Sequence, residues 1–397
     1  VRHCDVENSD VEPLLSTAEV DAVRGILDAS GRRGEEITRV SVVWGERRHL
    51  LRVTTSTGTV IVKRPKFFDD ETRDVATFHD EVAVVSFLDA MPTPVAPRMM
   101  GFDAATDILV MEDLPPGLAL SDLFLLGSAA EATAGVQAVV RALASVHAWS
   151  FSREADFVKR YSLSPMEDRS WTPWNVRALS AREEFVACLT TWGVDVGGLN
   201  DEIDRALEIL SSPHHRGVIH GDLCPDNVRV ANGAARIFDF EAALYGHWAL
   251  DVAYFLSPFP SCWCFAELPT SVSAAALVTY EEEMLRWGIT LDDSWNESLA
   301  AALLCFVLVR VATSSAIEGP DDEWGTTSLR TRIVTWLRCF ERFAPCEETF
   351  PAAIRVAREL LASPRLTSWD VSAPAYPAFA AGDVDVVKVP EFFEPGL

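Results

Sequence analysis

Basic side chains are scarce in this sequence: 34 lysines and arginines face 59 aspartates and glutamates over 397 residues, for a formal charge of −25. A surface so negative repels phosphate backbones and anionic lipid, which argues against nucleic acid or membrane as the main partner. Long apolar runs are missing too. No stretch of eighteen uncharged apolar residues occurs, so no membrane span is expected. The first residues, "VRHCDVENSDVEP", carry acids where a secretory leader needs a basic and then an apolar stretch, and the expected setting is cytoplasmic. Eight cysteines are present without a paired framework. The close pair in "CWC" at 262–264 has no second pair or histidine near it in sequence, which argues against zinc and for buried, reduced thiols.

What is there is an ample core, 49% hydrophobic, on a chain long enough for two lobes. "STAEVDAVRGILDAS" opens with Ser16 and Glu19 in capping-box spacing, and Val20, Val23, Ile26 and Leu27 recur at helical intervals. "ITRVSVVWGERRHLLRVTTSTGTVIVKRP" reads as three β runs separated by turn signals. A helix is expected from about Thr72 to Asp89, then a Pro-rich loop, then the strand "DILVMEDL" ending in the breaker "PPG". That breaker divides a smaller lobe, 1–113, from a helical lobe, 114–363. In the larger lobe Val136, Val139, Val140, Leu143 and Val146 share one helix face. Residues 364–397, rich in proline and acids, read as an extended tail.

The stretch "HGDLCPDNVRVANGAARIFDFE", residues 220–241, sets Asp222, Asn227 and Asp239 around two short apolar runs. A tight hairpin brings residues about a dozen apart side by side. Phosphoryl transfer needs a carboxylate to aim a hydroxyl, hard oxygen ligands for magnesium, and a lysine against the phosphates. Asp222 can be the first of these, with Asn227 and Asp239 reaching one metal. Lys63, ending "TVIVK", is the lysine candidate, and it needs a carboxylate partner to stay charged in a cleft. Glu81 lies on the apolar helix face of Phe78, Val82, Val85 and Leu88, where an unpaired glutamate is costly. Glu71, two turns earlier, is the second choice.

The order β-lysine, helix-glutamate, "VMED", "HGDLCPDN", "FDFE" resembles the aminoglycoside phosphotransferase and choline kinase-like superfamily, relatives of the protein kinases. The resemblance spans roughly 37–255. It implies an α+β, bilobal, protein-kinase-like fold, with Asp222 catalytic and Asn227 and Asp239 as magnesium ligands. Lys63 and Glu81 would place the phosphates of ATP, or of GTP, and the backbone at Glu112 and Leu114 would meet the base behind Met111. Asp251 in "LDVAYF" would be structural. The phosphate-covering turn departs from the family's small, Gly- or Ser-rich pattern: here it is "WGERRH", with the single Gly45.

These residues and this resemblance lead to an ATP- and Mg2+-dependent kinase acting on a hydroxyl of a small molecule. An aminoglycoside, another sugar-bearing or nucleoside natural product, an amino alcohol or an amino sugar are all admissible. "DFE" and the absence of an activation-segment signature disfavour a protein kinase; a catalytically silent kinase-like binder is the reading from another class. For the acceptor, the loop "GPDDEWG" offers Asp321, Asp322, Glu323 and Trp324, suited to a polar and cationic ring. Trp171, Trp174 and Trp263 are further stacking candidates, whereas Glu281–Glu283 read better as an exposed helix face. His220 and His147 are read as structural, Cys224 as packing, and His214 and His215 as surface residues.

Overall fold

The structure, a computed structural model, describes residues 14–43, 47–66, 74–161, 173–312, 319–343 and 345–380. Helix α1 (Thr17–Ala29) begins with the expected capping box: Ser16 Oγ accepts from the Glu19 N–H and Glu19 Oε2 from the Ser16 N–H, at 3.3 and 2.7 Å. Two open donors of the first turn are thereby closed. Strands β1 (Ile37–Val42), β2 (Leu50–Thr55) and β3 (Thr59–Lys63) follow, then helix α2 (Val75–Leu88) and strands β4 (Met99–Asp103) and β5 (Ile108–Glu112). The five strands form an antiparallel sheet in the order β1-β2-β3-β5-β4.

Alternation along the strands sorts their side chains onto two faces. Leu51, Val53, Val60, Val62, Ile108 and Val110 pack on Val23, Ile26 and Leu27 of α1. Ile61 and Lys63 point the opposite way, into the cleft beside α2. Asp74 caps α2 by accepting from the Thr77 N–H at 3.1 Å. Thr72, Glu71 and the turn glycine Gly45 lie outside the described residues.

Past the Pro115–Gly117 breaker, strand β6 (Leu118–Ala119) already pairs inside the larger lobe. It leads to helices α3 (Leu120–Leu126), α4 (Ala129–Ser150), α5 (Glu154–Tyr161), α6 (Pro173–Thr191) and α7 (Leu199–Ser211). Strands β7 (Arg216–Ile219), β8 (Val228–Ala231), β9 (Ala234–Ile237) and β10 (Leu244–His247) come next. Strand β6 joins β8 and β9 in one small sheet, and β7 pairs with β10. Helices α8 (Ala249–Leu256), α9 (Thr270–Arg286) and α10 (Ser294–Ala312) follow. The hairpin β11 (Glu323–Trp324) and β12 (Thr327–Ser328) then precedes α11 (Leu329–Arg342), α12 (Pro345–Thr349), α13 (Pro351–Ala362) and α14 (Pro364–Thr367).

The architecture is α+β, a small antiparallel sheet with its helices set beside a larger, mainly helical lobe. The predicted face of α4 is buried at all five positions. Helix α10 has the length and apolarity to cross a membrane, yet Leu299–Val309 are buried, among α6, α7 and α8. It is apolar all round because it is enclosed all round.

The expectation of an extended tail from 364 needs correction. Residues 364–367 form α14, and the segment to 380 docks on the helical lobe. Tyr376 is fully buried, its ring 4.4 Å from that of Phe124, and the Glu267 N–H donates to Pro374 O at 2.9 Å. Burying such an aromatic contributes on the order of 2 kcal/mol, and Leu366, Trp369, Val371 and Phe379 pack beside it. Residues 381–397 lie outside the described part.

Candidate functional site

Strand β7 ends at Ile219, and the loop His220–Asn227 turns the chain back into β8. Gly221 has φ +76°, and a Cβ there would lie 2.5 Å from Ala242 O, so only glycine fits. Asp251 of α8 holds this turn: its carboxylate accepts the His220 and Gly221 N–H groups at 2.7 and 2.9 Å and contacts His147 Nε2 at 3.2 Å. Burial pushes the Asp251 carboxyl up, but His147, His220 and these bonds outweigh it and hold it below the usual range. His220 takes a structural place. Its Nε2 donates to Phe238 O at 3.0 Å, and its Nδ1 accepts the Asp222 N–H at 3.3 Å.

The hairpin β8–β9 closes through Asn232 and Gly233, with φ +51° and +75°, the left-handed pair that a two-residue hairpin turn favours. It returns the chain to Asp239, itself left-handed at φ 65°, ψ 59°. Aspartate tolerates that conformation better than most residues. The Phe238 N–H donates to Asn227 O at 3.0 Å, so the two ends of the hairpin meet.

Lys63 joins the lobes. Its Nζ lies 2.5 Å from Glu81 Oε2 and 2.5 Å from Asp239 Oδ1, and Lys63 and Glu81 are both buried. Burial lowers the Lys63 pKa, but the flanking carboxylates of Asp239 and Glu81 reverse this and hold its charge firmly. Asp239 is pushed up by burial and pulled further down by Lys63 and Lys66, ending below the usual range. Glu81 goes the other way: burial, reinforced by Asp239, outweighs Lys63 and raises it. A second ion pair, Lys66 with Glu241, runs beside the first; the sequence reading missed it, although "KRPK" and "DFE" contain both partners.

Asp222 stands on the loop next to this pair. Its Oδ1 accepts from the Tyr254 hydroxyl at 2.7 Å and the Ser261 hydroxyl at 2.5 Å, with Cys224 Sγ at 3.5 Å. Oδ2 makes none of these bonds. Asn227 Nδ2 donates to Asp222 O at 3.0 Å, which leaves the Asn227 amide oxygen for another partner. Tyr254 and Ser261 were not found from sequence. Tyr254 was legible only as part of an apolar helix, and nothing in "FPSCW" marks Ser261.

Where β5 leaves the cleft, Met111 is buried and Glu112 and Leu114 line the wall. Glu112 is tied at both ends: its N–H donates to Arg98 O at 2.9 Å, and its carboxylate takes the Arg98 N–H at 3.0 Å and Arg236 at 2.6 Å. Arg52 and Asp113 pair across the same edge at 2.8 Å. Five basic side chains, Arg47, Arg52, Lys63, Lys66 and Arg229, line the cleft, alongside the acids Glu81, Glu112, Asp113, Asp122, Asp226 and Asp239.

At the other end the wall is Asp226 and Trp263, the indole donating to Asp226 Oδ2 at 3.1 Å. Asp321, Asp322, Glu323 and Trp324 are exposed on the β11–β12 hairpin and do not line the cleft. Asp321 Oδ1 is occupied by the Arg330 N–H at 3.0 Å. Trp324 alone reaches inward, its Nε1 donating to Ser261 O at 2.9 Å. Arg332, fully buried, gathers these segments: it donates to Pro260 O, Cys262 O and Trp324 O at 3.2, 2.9 and 2.7 Å, over the Phe265 ring. Burial lowers its pKa to about 10. Trp171 and the Trp174 side chain lie outside the described residues, and Glu281 and Glu282 are exposed on α9. Contrary to the surface expectation, His215 is buried against His247, Trp248 and Trp295.

A comparison with curated proteins gives no significant match. Among solved structures the chain is similar to a choline kinase from Cryptosporidium parvum Iowa II, at 15% identity and TM-score 0.47, covering 88% of this chain and 99% of that one. It is also similar to a putative aminoglycoside phosphotransferase from Ralstonia eutropha JMP134, at 16% and 0.47 over 85% and 98%. A third is the macrolide 2'-phosphotransferase MphH from Brachybacterium faecium, at 15% and 0.44 over 74% and 94%. A family model described as "Phosphotransferase enzyme family" matches residues 38–304, from β1 to the middle of α10. That span is more than half of the chain, and the chain belongs to this phosphotransferase family.

Proposed function

We propose that the chain is an ATP- and Mg2+-dependent kinase that phosphorylates a hydroxyl of a small molecule. The observation that carries this reading is Lys63, held between Glu81 and Asp239 at the wall of the cleft. On a chain of charge −25, the cleft-lining cations Arg47, Lys63 and Lys66 suit the phosphates of a nucleoside triphosphate. GTP remains an admissible donor. The free amide oxygen of Asn227 and the carboxylate of Asp239 are hard oxygen donors, the set that suits magnesium. Magnesium held there would neutralise phosphate charge during transfer.

The chain's own residues do the rest. Lys63, pinned from both sides, presents a fixed positive charge to the phosphates. Asp222, steadied at Oδ1 by Tyr254 and Ser261, turns Oδ2 toward an acceptor hydroxyl and takes its proton. Leu114 and Glu112 offer backbone to the base edge. Asp226 and Trp263 form the inner wall of the acceptor approach. The hairpin of Asp321, Asp322, Glu323 and Trp324 forms its outer rim, where exposed carboxylates suit a cationic acceptor.

Incubation with ATP, magnesium and a panel of aminoglycosides, nucleosides, amino sugars and amino alcohols tests the reading by mass. At least one acceptor gains a phosphate, and the gain disappears with a chelator and in Asp222→Asn. Nucleotide binding without transfer to any acceptor would leave a silent binding protein instead.

A further inference from the structure

In sequence the "CWC" pair lacks neighbours; the fold supplies them. The loop between β7 and β8 brings Cys224 and Asp226 to Cys262, with both Sγ atoms and an Asp226 carboxylate oxygen within 4.8 Å of one another. Cys262 Sγ also lies 3.3 Å from Cys264 Sγ and 3.9 Å from Asp226 Oδ1. A tetrahedral zinc site with bonds of about 2.3 Å has sulfur–sulfur edges of about 3.8 Å, so these donor atoms stand close enough to converge on one ion with small shifts. Trp263, between the two cysteines, donates to Asp226 Oδ2, which leaves Oδ1 facing Cys262.

We propose that Cys224, Asp226 and Cys262, with Cys264 beside them, bind one thiophilic divalent cation such as Zn2+. Sulfur donors set this site apart from the oxygen pair Asn227 and Asp239, because soft ligands favour zinc over magnesium. Asp226 and Trp263 line the cleft, so an ion enters from there. Each ligating thiol releases its proton to solvent as the cation binds. The consequence for turnover rests on the kinase reading above. Cys224 Sγ lies 3.5 Å from Asp222 Oδ1, and Ser261, next to Cys262, donates to that same oxygen. An ion here ties together the two segments that hold Asp222 Oδ1, so its binding changes turnover.

The test reads binding directly, so it stands or falls apart from activity. Co2+ is titrated into the whole reduced chain and absorption is followed. One equivalent should give tetrahedral visible bands and sulfur-to-metal charge transfer in the near ultraviolet, displaced by Zn2+ but not by excess Mg2+. The charge transfer should weaken in Cys224→Ser and Cys262→Ser and persist in Cys188→Ser and Cys339→Ser. Asp226→Asn, which leaves every thiol in place, should weaken Co2+ binding by roughly tenfold or more. Absence of charge transfer at one equivalent, or its survival in both Cys224→Ser and Cys262→Ser, overturns the site.

Discussion

Asp222 spends one carboxylate oxygen on its own support, and that division gives the sharpest predictions at the level of single residues. Asp222→Asn should preserve the fold and nucleotide affinity and lower turnover by roughly 10²- to 10⁴-fold, the usual scale for a positioned base. Ser261→Ala, which removes one of the two hydroxyls that hold Oδ1, should lower kcat by roughly 10- to 100-fold with the ATP KM unchanged. Turnover near the parent's in either variant removes that residue from the mechanism. Asp239→Ala should abolish magnesium-dependent nucleotide binding, because neutral Asn227 cannot replace an anionic ligand; calorimetric titration with magnesium-ATP decides this. Lys63 and Glu81 were legible because a glutamate on an apolar helix face demands a cation, and the strand-end lysine was the cation in reach. Ser261 was not. Its bond to Asp222 closes across 39 residues, and a serine carries no pattern that foretells such a contact.

Among elements, the turn His220–Gly221 has the clearest dependence on a partner, since two of its backbone donors end on Asp251. Asp251→Ala leaves those buried N–H groups and His147 without an acceptor. At roughly 1–3 kcal/mol for each unsatisfied group, the urea midpoint should fall by an amount equivalent to several kcal/mol. A loss under about 1 kcal/mol would mean that the turn holds itself. Elements with a period were readable: α1 from its capping box, α4 from its buried stripe, and the β8–β9 hairpin from two short apolar runs. The 364–380 segment was not, because its order comes from scattered contacts made on folding, Leu366, Tyr376 and Phe379 among them. Neither α14 nor that docking leaves a repeating trace in composition.

Across the whole molecule, charge and burial pull in different directions. His247 is fully buried, and burial, aided by His215 and Arg216, lowers its pKa from 6.5 to about 3. The native state therefore binds fewer protons here than the unfolded state. The contribution is complete above about pH 6.5 and is lost toward pH 3 at roughly 1.4 kcal/mol per pH unit. His247→Gln should flatten the stability profile between pH 6.5 and 5 relative to the parent; an unchanged slope by chemical denaturation would contradict this. The acidic surface makes its own prediction. For a cationic acceptor, KM should rise with salt as the Debye length shortens to about 8 Å, and neutralising Asp321, Asp322 and Glu323 together should raise it further at constant ATP KM. A flat salt response would make that hairpin ordinary surface charge. Net charge was plain from composition, but the meeting of Arg47, Arg52, Lys66 and Arg229 in the cleft was not, because they converge only on folding.

Arg332 gives the Trp263 end of the cleft a joint. One guanidinium binds carbonyls of Pro260, Cys262 and Trp324, so two segments far apart in sequence are anchored at one point. Under the proposed function, substrate preference on this wall is a modular property, inherited by the pair of segments rather than by either one. A chimera that exchanges 260–265 and 319–332 together with a relative's should carry over that relative's acceptor range. Exchanging one segment alone separates the joint from its carbonyls, and such a hybrid should favour neither parent's acceptor.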